Sequence, residues 1–78
     1  MGEDGKSREL AVLLANRSAV LFSLKAYAMA LDDIELAFRL GYPDDLAYKL
    51  HDRRAKCLVA FKQMEDAGEA YRWVRRYI

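Results

Sequence analysis

Residues 27–43 read YAMALDDIELAFRLGYP, and this stretch carries the clearest structural signal in the chain. Its apolar residues recur at helical spacing and form one face: Tyr27, Ala30, Leu31, Ile34, Ala37 and Phe38. Gly41 is the type of residue that ends helices, and Pro43 prevents the helix from resuming at once. The stretch therefore predicts an amphipathic helix over residues 28–40 that ends at Gly41.

The rest of the chain predicts an all-α fold of about four helices, because no segment alternates with the period of a strand. Ser7 is a candidate N-cap for the first helix, and Asp44 or Asp45 is a candidate for the third. A short turn is expected at Lys25 and Ala26. The predicted helices span residues 8–24, 28–40, about 45–61 and about 65–78.

Two parts of the chain match each other at a constant offset of 37 positions (55 − 18 = 37). The matched pairs are Ser18 and Ala55, Leu21 and Leu58, Lys25 and Lys62, Ala30 and Ala67, Ile34 and Tyr71, and Ala37 and Val74. Small residues match small ones, and large apolar residues match large ones. Such a repeat indicates one helix–turn–helix unit used twice. We divide the chain into a flexible lead-in at 1–7, a first unit at 8–42 and a second unit at 43–78.

The composition is that of a folded intracellular chain with balanced charge. It is 54% hydrophobic and 32% charged, as in globular proteins. Thirteen basic and twelve acidic residues give a net charge of +1, which argues against a nucleic-acid partner because phosphate binding needs a concentrated basic excess. A lone cysteine, Cys57, suits a reducing compartment, so a cytoplasmic or nuclear location is expected. No apolar stretch approaches the ~20 residues of a membrane span, so no membrane partner is expected.

The pattern of small and large residues resembles the tetratricopeptide (TPR) repeat, a helix–turn–helix unit of about 34 residues. In that motif a small residue stands midway along the first helix, where this chain has Ser18 and Ala55. Lys25 and Lys62 stand where the motif has a turn glycine, and Pro43 closes the first unit as in the motif. The resemblance implies two tandem TPR units, an antiparallel α-solenoid fragment that binds a protein or peptide partner.

Four longer sequence motifs are similar to the TPR segment of SET- and MYND-domain protein lysine methyltransferases. They are Ala15-Asn16-Arg17-Ser18-Ala19, Gly41-Tyr42-Pro43, Tyr48-Lys49-Leu50 and Arg53-Arg54-Ala55-Lys56-Cys57-Leu58. The resemblance implies a parent enzyme that uses S-adenosylmethionine and holds zinc, of which this chain is a segment. One Cys and one His cannot form the zinc centres of a MYND domain. We therefore expect no cofactor or metal in the segment itself.

Lys49 and Arg53 are four residues apart and therefore share one face of the third predicted helix. Asn16 is the equivalent of Arg53 one unit earlier (53 − 16 = 37). By resemblance, carboxylate-clamp TPR domains use an Asn and a Lys-x-x-x-Arg pair to hold the C-terminal Glu-Glu-Val-Asp of cytosolic heat-shock chaperones. Cations neutralise the carboxylates of such a tail, and an amide donor orients it. We predict a partial peptide-binding clamp at Asn16, Lys49 and Arg53; the alternative is that these are ordinary solvated side chains.

Two other functions compete with peptide binding. In the first, the helices only pack against the catalytic domain of the parent. In the second, the chain is itself an enzyme, but one His, one Cys and scattered carboxylates offer no nucleophile with a base. Cys57 is instead expected to be a small core residue, and His51 an exposed helix residue. Arg17 and Arg54 are expected to pack their aliphatic stems against neighbouring helices.

The predicted fourth helix ends on apolar residues that no further helix covers: Trp73, Val74, Tyr77 and Ile78. Helical repeats bury each unit against its neighbours and usually need three or more units. We therefore expect this uncovered face to produce a homodimer or to leave the isolated chain marginally stable.

Overall fold

The structure, a computed structural model, describes residues 5–66. In this range it contains three α-helices and no strand, which confirms the predicted all-α fold. The elements are α1 (Gly5–Ser23), α2 (Tyr27–Arg39), a 3₁₀ turn (Asp44–Leu46) and α3 (Ala47–Asp66). The apolar end of the predicted fourth helix lies outside the described residues, so the homodimer contact stays a prediction.

The turn between α1 and α2 is built around Lys25, whose φ of 63° lies in the left-handed region. The Ala26 N–H donates to the Leu21 carbonyl at 2.8 Å, and the Lys25 N–H donates to the Phe22 carbonyl at 3.0 Å. This pair of bonds is the Schellman arrangement that closes a helix C-terminus. Ala26 is buried behind the turn, and α2 packs against α1.

The end of α2 has the same arrangement, with glycine in the left-handed position. The φ of Gly41 is 90°. The Tyr42 N–H donates to the Ala37 carbonyl at 3.1 Å, and the Gly41 N–H donates to the Phe38 carbonyl at 3.3 Å. Glycine adopts this conformation without the steric cost that a Cβ atom brings. The predicted end of this helix at Gly41 is confirmed.

The chain enters α3 through the 3₁₀ turn rather than through a side-chain cap. The Leu46 N–H donates to the Pro43 carbonyl at 3.1 Å, and the Ala47 N–H donates to the main-chain oxygen of Asp44. The turn has no side-chain capping hydrogen bond. Asp44 and Asp45 still place negative charge in its first turn, where the helix dipole favours it.

Two predicted helix boundaries were wrong. Ser7 lies inside α1, which already includes Gly5, so it is not the N-cap of that helix. Helix α3 does not end near Phe61 but continues through Lys62 to Asp66. Residues 62–66 contain no Gly or Pro and include several good helix formers, so nothing local stops the helix there.

The core lies between the three helices and is built largely of small side chains. Its buried apolar residues are Ala11, Leu14, Ala15, Ala30, Ile34, Ala37, Leu50 and Cys57. The alanines allow α1 and α2 to approach closely, while Ile34 and Leu50 are the largest of the fully buried side chains in the described range. The prediction that Cys57 is a small core residue is confirmed.

Candidate functional site

One face of α3 and the end of α1 form an open groove with a volume of about 610 Å³. It is lined by Phe22, Tyr48, Lys49, Asp52, Arg53 and Lys56. Lys49 lies three and four residues before Asp52 and Arg53, and Lys56 lies four and three residues after them, so the four charged residues share one face of α3. Three cations against one carboxylate leave the groove positively charged. It is therefore suited to an anionic ligand.

Arg53 connects this groove to α1. Its Nη1 donates to the main-chain oxygen of Ala15 at 2.8 Å and to Oγ of Ser18 at 3.3 Å. The Ser18 hydroxyl in turn donates to the same Ala15 oxygen at 2.6 Å. Ser18 is fully buried. Its hydroxyl also links α1 to α3, because it accepts a hydrogen bond from Arg53.

The two lysines of the groove have different surroundings. Lys56 Nζ lies 2.9 Å from Oδ2 of Asp52, one turn earlier on α3, and both side chains are well exposed. Lys49 is exposed and forms no ion pair within residues 5–66. Lys49 is therefore the cation most available to a ligand.

The structure brings together two of the three residues predicted to bind a peptide. Lys49 and Arg53 line the same groove. Asn16 is exposed on α1 and does not line it. It is linked to the groove only through Ala15, the preceding residue, whose carbonyl accepts from Arg53. The Asn16 amide would have to reach a ligand that extends beyond the groove.

An ion pair between α1 and α2 was missed by the sequence analysis. Arg17 Nε and Nη2 donate to the two carboxylate oxygens of Asp33, each at 2.7 Å. The hydrogen bond and the charge of Asp33 raise the pKa of Arg17. Asp33 is buried, and it lies on the same face of α2 as Ile34. A charged residue on a buried helical face needs a partner, and that rule could have identified the pair.

Arg54 also forms an ion pair that was not predicted from the sequence. Its Nε donates to Oε2 of Glu35 on α2 at 2.7 Å, and both side chains are partly exposed. Together with the pair at Arg17, this shows that the equivalent arginines of the two units both hold a carboxylate on α2. Their guanidinium groups, and not only their stems, connect the helices.

Cys57 is buried in the core, and His51 packs against an aromatic ring. Burial raises the pKa of the Cys57 thiol, and the charge of Arg53 partly opposes this effect. His51 is exposed, as predicted, and its ring stacks on Phe38 with centroids 4.5 Å apart. Within residues 5–66, no group of three His, Cys, Asp or Glu side chains is placed to hold a metal ion. No helix in that range has the length and apolar character to cross a membrane.

The proteins that this chain resembles in sequence are lysine methyltransferases. It is 43% identical over 67 residues to protein-lysine N-methyltransferase SMYD4 of Gallus gallus, a match that covers 86% of this chain and 9% of the relative. It is 40% identical over 63 residues to SMYD4 of Homo sapiens, covering 81% and 8%. The chain is therefore homologous to a short segment of SMYD4 and spans less than a tenth of these relatives. No protein-family model matches the chain, and no solved structure matches it significantly.

Proposed function

We propose that this chain is the peptide-binding helical segment of a protein-lysine methyltransferase, and that the α3 groove binds an acidic C-terminal tail. The observation that carries the proposal is the shared groove of Lys49, Arg53 and Lys56, which gathers three cations on one open helical face. Homology to a segment of SMYD4 supports the methyltransferase parent. The C-terminus of a cytosolic heat-shock chaperone is the candidate source of the tail.

The chemistry of the groove suits a terminal carboxylate. Lys49 offers a mobile ammonium group with three donors, and Arg53 offers a planar guanidinium with five. The bonds from Arg53 to Ala15 and Ser18 use Nη1 and hold the guanidinium against α1. A group held in this way loses little conformational freedom on binding a ligand. The rings of Phe22 and Tyr48 supply apolar surface for the side chains that precede the carboxylate.

In this proposal the methylation chemistry belongs to the rest of the parent. S-adenosylmethionine and zinc would be bound by other parts of the parent. The segment would then recruit or position a protein, and its own residues would take no part in methyl transfer.

The proposal is tested by fluorescence anisotropy with a labelled peptide that ends in Glu-Glu-Val-Asp. We expect the free carboxylate to bind more tightly than the amidated copy, and binding to weaken as salt rises. Lys49→Ala should weaken binding about three- to tenfold, because an exposed contact of this kind is worth roughly 0.5–1.5 kcal/mol net. Lys62→Ala, which removes the same charge from an exposed position on α3 outside the groove, is the control. Equal affinity for the free and amidated peptides would exclude a carboxylate site.

A second candidate function, packing inside the parent, is favoured by the outer face of α1. Leu13 and Val20 are 63% and 58% exposed, whereas their repeat equivalents on α3, Leu50 and Cys57, are fully buried (50 − 13 = 37). Leu50 and Cys57 belong to the core that α3 forms with α2. The equivalent face of α1, which carries Leu13 and Val20, is therefore suited to a helix with an apolar face like that of α2. That helix would come from another part of the parent.

A synthetic peptide of residues 27–40, which contains α2, is the natural probe for this surface. If α1 accepts an α2-like helix, the peptide should gain helicity on mixing with the chain, as measured by circular dichroism. Leu13→Glu should abolish the gain, and Leu58→Glu, a change at an exposed residue of α3, should not. The same loss from both variants would mean non-specific apolar contact.

A further inference from the structure

Within residues 5–66, Asp52 is the only carboxylate among the side chains that line the α3 groove. A groove that binds acidic tails would attract them more strongly without it. The Asp52 carboxylate accepts from Lys56 at 2.9 Å, and the two side chains are 63% and 64% exposed. Exposed pairs of this kind are weak and exchange readily with other partners. Asp52 is therefore placed to compete with a ligand for Lys56.

This competition changes with the number of charges on the ligand. One carboxylate can be met by Lys49, which forms no ion pair within residues 5–66, and by Arg53, while Lys56 stays with Asp52. A second carboxylate needs another cation, and in this groove that cation is Lys56. Lys56 must then leave Asp52, whose carboxylate is left unpaired beside the incoming acid.

We propose that Asp52 determines how many acidic groups the groove accepts. It lowers the affinity for tails that carry acidic side chains beside the terminal carboxylate and leaves the affinity for singly charged tails almost unchanged. This inference rests on the proposed function and adds a specificity-determining residue to it. The groove still favours acidic tails because its cations outnumber Asp52, but each acidic side chain beside the terminal carboxylate adds less affinity than it would without Asp52.

The experiment compares the wild-type chain with Asp52→Asn and Asp66→Asn. Asp66 is a matched control because it pairs with Lys62 at 3.8 Å, one turn apart on α3, is similarly exposed and does not line the groove. Each protein is titrated with a tail of neutral side chains that ends in a free carboxylate and with the same tail carrying two added Glu residues. Amidated copies of both tails complete the set.

We expect Asp52→Asn to raise the affinity for the two-Glu tail about two- to fivefold, the range that an exposed charge pair supports. The affinity for the neutral tail should change by less than about 1.5-fold, and Asp66→Asn should change neither. An equal gain from Asp66→Asn would mean general charge attraction and overturn the proposal. So would an equal gain for both tails, or weaker binding by Asp52→Asn, which would mean that Asp52 positions Lys56.

The two proposals fail in different ways. If the wild-type chain does not distinguish free from amidated tails, the groove is not a carboxylate site and the proposed function fails. If the wild type does distinguish them but Asp52→Asn behaves like Asp66→Asn, only the role of Asp52 is excluded.

Discussion

Lys25 and Lys62 occupy equivalent positions of the two units, but the chain turns at the first and not at the second. Lys25 adopts a φ of 63° and ends α1. Lys62 lies inside α3, which continues to Asp66. The matched small and large residues had suggested a turn at both positions. Matching side chains on the helices are therefore not sufficient to place the turn between them.

The neighbours of the two lysines account for the difference. Ala26 is small enough to be buried directly behind the first turn, whereas its equivalent Gln63 is long, polar and exposed (63 − 26 = 37). Phe22 and Tyr27 brace the first turn by an edge-on ring contact at 5.3 Å, and neither has an aromatic equivalent in the second unit. The turn at Lys25 thus depends on side chains that the equivalent positions Val59, Gln63 and Met64 do not reproduce.

The largest effect is expected for a core substitution in the hairpin of α1 and α2, which we expect to supply most of the stability. Ile34 of α2 is fully buried, and Val59 of α3 is 59% exposed. Ile34→Ala should lower the free energy of unfolding by about 2–5 kcal/mol, most of the ~3–5 kcal/mol that a core this small supplies. Val59→Ala should stay within about 0.5 kcal/mol of wild type. Urea denaturation measures both, and similar losses would remove the proposed difference between the two regions.

The next effect concerns how α3 is attached. Arg53→Ala removes the hydrogen bonds to Ala15 and Ser18 and should cost about 1.5–3 kcal/mol, the range for bonds to a charged donor. Arg54→Ala removes an exposed ion pair with Glu35 and should cost less than about 1 kcal/mol. These adjacent arginines carry the same charge, so their difference in urea unfolding isolates the contact with α1. A cost for Arg53→Ala no greater than that for Arg54→Ala would show that the hydrogen bonds to α1 add little to the attachment of α3.

A glycine at each lysine position should have effects of opposite sign. Lys25→Gly relieves a left-handed conformation that costs a side-chain residue about 1–2 kcal/mol, less the extra freedom that glycine gives the unfolded chain. We expect a net stabilisation of roughly 0.5–1 kcal/mol. Lys62→Gly places glycine inside a helix and should destabilise by about 1 kcal/mol. Thermal unfolding monitored by circular dichroism distinguishes the signs, and stabilisation by both changes would indicate a turn at Lys62.

The smallest effect is a pH dependence that arises from Cys57. Burial raises its pKa in the folded chain above the ordinary value of 9.0. A raised pKa contributes stability that is present below pH 9.0 and is lost as the pH rises through the folded value, because the unfolded thiol ionises first. The free energy of unfolding should therefore fall more steeply above pH 9.0 in the wild type than in Cys57→Ala. Parallel pH profiles would mean that the thiol ionises equally in both states.

Helix α2 could be predicted because the spacing of its apolar residues and the glycine at its end are local features of the sequence. The stripe of residues 27–43 predicted α2 to within one residue at each end, and Gly41 predicted its stop. The end of α3 was mispredicted because it depends on which side chains are buried behind a turn. The groove was predicted in part: the spacing of Lys49 and Arg53 placed them on one face, but spacing does not show that Arg53 donates to the α1 backbone. The same spacing also places Asp52 on that face, three residues after Lys49, although it was not among the predicted binding residues.

The bond between Arg53 and Ala15 joins residues 38 positions apart, whereas the pair of Arg17 and Asp33 joins residues 16 apart. Folding slows as contacts become more distant along the chain, so we expect the hairpin of α1 and α2 to form first and α3 to dock afterwards. Opening of the native state should follow the reverse order, with α3 leaving while the hairpin persists. The groove would then exist only after the last folding step, and amide hydrogens of α3 should exchange with solvent faster than those of α2.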